Sequence, residues 1–113
     1  MPHHHRDKHQ KAYEEVKKVE VPTEEHKATW THELIGGAAA FEAMKLYEDK
    51  MSADGKPDSH ALAKEILAGI AGAAVDRLVE TKGLDFIDKE KAKKHAQQEA
   101  NKIYEEQYEK PNE

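Results

Sequence analysis

Apolar residues in this chain recur at three- and four-residue steps over two long central stretches, the period of helices with one buried face. The first stretch, through Leu34, Ile35, Ala38, Phe41, Met44, Tyr47 and Met51, predicts a helix over about 31–53. Thr31 offers an N-cap hydroxyl and Glu33 an early negative charge at the positive end of the dipole. An earlier start at Thr23, followed by Glu24 and Glu25, is also open. The helix should end at Asp54-Gly55-Lys56-Pro57, because Gly55 tolerates a left-handed backbone and Pro57 lacks an N–H. Asp58 or Ser59 then caps a second helix over about 59–82, carrying Leu62, Ile66, Leu67, Ile70, Ala74, Leu78 and Val79. Gly83 and Leu84 form its stop, a glycine followed by an apolar residue that folds back. A third helix over about 86–108, opening near Asp85 and Asp88, presents Ala92, Ala96, Ala100, Ile103 and Gln107, with Tyr104 and Tyr108 at one edge. The expected fold is all-α: a bundle of three main helices within residues 29–108, a frayed end at 109–113, and an N-terminal arm at 1–28. In that arm Tyr13, Val16 and Val19 have helical spacing, but Pro22 stops the pattern. A short weak helix and disorder both fit.

The first two helices are related. Residues 33–50 laid over 65–82 align Glu33 with Glu65, Leu34 with Ile66, Gly37 with Gly69, Lys45 with Arg77 and Leu46 with Leu78. Gly36, Gly37, Gly69 and Gly72 fall inside helical patterns, where each costs about 1 kcal/mol relative to alanine. Such a cost has a use if helices approach closely: Gly36 with Ala40, and Gly69 with Ala73, put small residues four apart on one face. Room for a small apolar ligand between helices is the lesser alternative. Leucine at position 37 or 69 is expected to damage folding or assembly more than any single surface charge change.

Composition narrows the options. Of 113 residues 36% are charged and 37% hydrophobic, with a mean hydropathy of -0.99 and no cysteine. A disulfide framework, a thiol enzyme and a four-cysteine zinc site are excluded. The longest apolar run, Ile66 to Val75, is far below the roughly 20 residues of a membrane span. A net charge of -5 with no basic cluster speaks against nucleic acid, whose binding depends on phosphate neutralisation. The start, with no apolar leader, gives the cytoplasm as the expected compartment. Sixteen alanines make the core thin, and small domains with thin cores often gain stability by assembling, so a homo-oligomer, with a dimer favoured, is expected.

Eight histidines are the unusual component. His3, His4, His5 and His9 can bind a transition metal weakly, as neutral imidazoles do. His32 and His60 each open a strong helix, where the dipole favours the neutral ring and leaves a lone pair free. His95 precedes Glu99 by one helical turn. Were His32, His60 and His95 to converge, they would offer a metal or haem-iron site; local capping and solvation are the alternative. No cofactor is favoured, and no nucleophile or acid–base pair can be named, so an enzyme is the less expected class. Trp30 reads as an apolar dock before the first helix.

Three blocks carry a family resemblance: Thr31-His32-Glu33-Leu34-Ile35-Gly36-Gly37-Ala38-Ala39-Ala40-Phe41-Glu42-Ala43-Met44-Lys45, Lys64-Glu65-Ile66-Leu67-Ala68-Gly69-Ile70-Ala71-Gly72-Ala73, and Asp76-Arg77-Leu78-Val79-Glu80-Thr81-Lys82-Gly83-Leu84-Asp85. Over about residues 29–108 the chain resembles the fungal CipC-like antibiotic response proteins, named for concanamycin-induced protein C; the arm before Ala28 falls outside the resemblance. The resemblance implies a small intracellular protein tied to stress or drug exposure, with histidine at the positions of His32, His60 and His95. It implies no catalytic residue. The function expected is that of a non-enzymatic stress or antibiotic-response protein that self-associates through its small-residue helices. The alternative is a bundle that binds a metal, haem or a small hydrophobic ligand through the three histidines.

Overall fold

A computed structural model describes residues 4–19 and 22–109. The chain forms α1 (His4–Lys17), α2 (Glu24–Thr29), α3 (His32–Asp54), α4 (His60–Lys82) and α5 (Lys89–Tyr104), followed by a π-helical segment, Glu105–Glu109. Among the described residues there is no strand. The all-α expectation holds, but four helices are substantial where three were expected, and the fourth is α1.

The two central helices begin and end where their caps dictate. The Thr31 hydroxyl accepts the Leu34 N–H at 3.1 Å, and that of Ser59 accepts the Leu62 N–H at 3.1 Å. Gly55 closes α3 at φ 89°, and Gly83 closes α4 in the left-handed region at φ 66°. Leu84 then folds back, its N–H on the Val79 carbonyl at 2.9 Å and its side chain fully buried. That fold-back delays α5. Residues 84–87 make a turn, and Asp88, rather than Asp85, is the N-cap, accepting the Lys91 N–H at 3.2 Å. The earlier start at Thr23 exists as a separate element: Thr23 caps α2, and His26 completes a capping box by accepting the Thr23 N–H at 3.1 Å.

α3 is the central rod. It lies against α1, α4 and α5, and it is buried on its whole circumference from Ile35 to Phe41. α5 rests on both α3 and α4 through Ala92, Ala96, Ala100 and Ile103. Alanine faces let these backbones approach closely while each contributes little apolar area. Larger side chains, Ile35, Met44, Leu67, Leu84, Ile103, Val16 and Val75, fill the remaining space.

α1 is held in place by three contacts. Val16 is fully buried, Tyr13 stacks on Phe41 with ring centroids 5.3 Å apart, and His9 is 3% exposed. Its C-terminal end is tied by Lys82, whose ammonium donates to the Val19 carbonyl and, at 3.2 Å, to that of Lys17. The arm looks weak in sequence because only Val16 is a fully buried apolar residue, while Ala12, Tyr13 and Val19 are half-buried and the other buried group, His9, is polar.

Candidate functional site

Gly36 and Gly37 form a notch in α3. A Cβ on Gly37 would lie 2.6 Å from Nδ1 of His9, and one on Gly36 would lie 2.8 Å from Cδ2 of His95 and 3.0 Å from the Ala92 carbonyl. The two glycines thus admit one imidazole from α1 and one from α5. Beyond the notch, His9 Nε2 stands 2.7 Å from Glu99 Oε1, and Lys102 Nζ lies 3.0 Å from Glu99 Oε2. Both members of the pair are buried. Desolvation lowers the His9 pKa, against the pull of Glu99. Burial alone would raise Glu99, but its bonds to His9 and Lys102 together outweigh burial and hold the carboxyl below its ordinary range. Both directions describe one state: a neutral imidazole whose Nε2–H donates to a carboxylate.

The corresponding stretch of α4 is arranged differently. Gly69 has no atom within 4 Å of where a Cβ would stand, and Ala73 is exposed one turn further on. Gly72 is buried, and a Cβ there would lie 3.3 Å from the Gln97 amide nitrogen, which donates to the Ala68 carbonyl at 3.2 Å. Ala40 is fully buried. Within one chain, then, Gly36, Gly37, Ala40 and Gly72 face neighbours, while Gly69 and Ala73 face solvent. Leu62 is 43% exposed on the same outer side, and Ile66 and Ile70 are half-buried there.

A cavity of about 310 Å³ opens between the end of α3, the start of α4 and the end of α5. Tyr47, Tyr104, Tyr108 and Met51 line it, and Lys56, Asp58 and His60 stand at its mouth. Tyr104 is the hub. Its hydroxyl lies 2.6 Å from Nδ1 of His60, and its ring is 6.0 Å from Tyr47 edge-on and 4.9 Å from Tyr108. Burial raises the pKa of Tyr47 and Tyr104, so both phenols stay protonated.

The three histidines singled out in sequence do not form one site. His60 sits beside Tyr104, whereas His95 lies nine residues earlier on α5, about 13 Å along the axis. Among the described residues no group of three or more His, Cys, Asp or Glu could hold a metal ion. Of the N-terminal histidines, His3 and the side chains of His4 and His5 lie outside the described residues, and His9 is engaged by Glu99. Helical periodicity gives no sign that His9 is buried, because a polar side chain leaves no apolar mark and its partner is 90 residues away. The tyrosines did leave a signal, since Tyr104 and Tyr108 are one turn apart and Tyr47 lies on the stripe of α3.

These features define a small all-α bundle whose first helix is pinned by a buried imidazole–carboxylate pair. The chain belongs to the CipC-like virulence factor family, whose family model matches residues 8–107. The match takes in α1 from Lys8 onward, so the arm set outside the resemblance on sequence grounds is part of the family's domain. Membership points to a role in stress or virulence. No curated protein and no solved structure matches the chain. No described helix is long and apolar enough to cross a membrane.

Proposed function

We propose that this protein acts in a cytoplasmic stress or virulence response by assembling as a two-fold dimer through the outer face of α4, rather than by catalysis. The observation that carries this reading is the apolar, small-residue strip of Leu62, Ile66, Gly69, Ile70 and Ala73 on that face. A helix apolar on its inner side against α3 and α5 normally turns a polar side outward, but between Leu62 and Ala73 the exposed positions of α4 are Leu62, Gly69, Ala73 and a single charge, Glu65. The strip is also self-complementary. If two copies cross antiparallel about the midpoint of residues 69 and 73, Gly69 of one faces Ala73 of the other and the two backbones can approach closely. A two-fold contact needs this kind of pairing, in which each patch meets its own copy.

Sedimentation analysis tests the proposal. Gly69→Glu brings two like charges to the centre of the contact and should shift the wild-type dimer to monomer. A wild-type chain that sediments as a monomer at micromolar concentration overturns the proposal.

A further inference from the structure

The cavity at the α3–α4 turn has a chemistry that dimerisation does not use. We infer that it is a binding site for a small, neutral, planar aromatic compound of one or two rings that carries a hydroxyl group. Size sets the first limit. A volume of about 310 Å³ lies at the lower end of small-molecule pockets, enough for a compact ligand. The walls set the second. Tyr47, Tyr104 and Tyr108 present ring faces and edges, and Met51 supplies a polarizable thioether, a lining that favours a flat aromatic partner.

The mouth determines the charge. Lys56 and Asp58, the charged residues of the lining, have opposite signs, so the lining itself offers neither a cation nor an anion a net countercharge. Between mouth and wall, the His60 Nδ1 and Tyr104 hydroxyl pair at 2.6 Å can both accept and donate, as a ligand hydroxyl can. Tyr47 and Tyr104 are neutral phenols, and burial moves their titration further from neutrality, which keeps the interior uncharged. The inference does not depend on the dimer, whose strip lies on the outer face of α4, whereas the cavity opens where that helix begins.

Calorimetric titration with 2-naphthol, naphthalene-2-sulfonate and trimethylanilinium tests it on the full chain. 2-Naphthol should bind saturably at one site per chain and more tightly than either ion. Tyr108→Ala, at a partly exposed wall position, should weaken 2-naphthol binding about five- to tenfold through lost ring contact. His60→Ala should weaken it while leaving the binding of unsubstituted naphthalene unchanged. Absence of saturable 2-naphthol binding, equal or tighter binding of either ion, or unchanged affinity in Tyr108→Ala with its fold intact by circular dichroism overturns the inference.

Discussion

α3 and α4 contain two copies of one sequence pattern, and the molecule uses them in opposite ways. In α3 the glycines at 36 and 37 are filled by the imidazoles of His95 and His9. In α4 the equivalent of Gly37, Gly69, faces open space. The contrast arises from position, because α3 is enclosed by three helices and α4 by two. A glycine in a helix marks a place where something can come near. Which neighbour comes near is decided by the rest of the chain.

The largest expected effect separates the two copies directly. Gly37→Leu drives a side chain into the His9 ring and should cost about 3 kcal/mol in urea denaturation, whereas Gly69→Leu meets open space and should raise the midpoint slightly through helix propensity while altering the sedimentation of the protein. Equal destabilisation by both would erase the comparison. Next in size is Glu99→Ala, which strands the buried His9 donor and should cost about 2 kcal/mol, read from the same denaturation curves.

The smallest effect is the dependence on pH. Because burial holds His9 below its ordinary value of 6.5, the unfolded chain binds a proton that the folded chain resists. The stability of this contact is therefore complete above pH 6.5 and declines as pH falls from there toward the lower folded-state value. Glu99 adds a further loss below its ordinary 4.5, since its folded carboxyl is held lower still. Amide hydrogen exchange should show α1 losing protection as pH falls below about 6.5, with α4 unaffected. A His9→Asn chain should show no such change.

Much of the fold was legible where helical period and capping chemistry agree. Thr31, Ser59, Gly55 and Gly83 place the ends of α3 and α4 to within a residue of the pattern. α5 was legible in its alanine face but not in its start, because Leu84 uses the intervening residues to reach the core. α1 was the least legible element. Its attachment rests on one valine, one aromatic contact and one histidine, and only the tertiary structure brings Glu99 to that histidine. The tyrosine cavity was readable as two separate edges and not as one enclosure, since nothing local brings Tyr47 to Tyr104.

The ammonium of Lys82 holds the far end of α1 by two backbone carbonyls. α1 is therefore fastened like a door, with a hinge at the Lys82 end and a catch at His9. Protonating His9 would loosen the catch while the two carbonyl bonds of Lys82 remain. The surface that an opened α1 would uncover is the Gly37 half of the notch, since His95 of α5 still fills the Gly36 half.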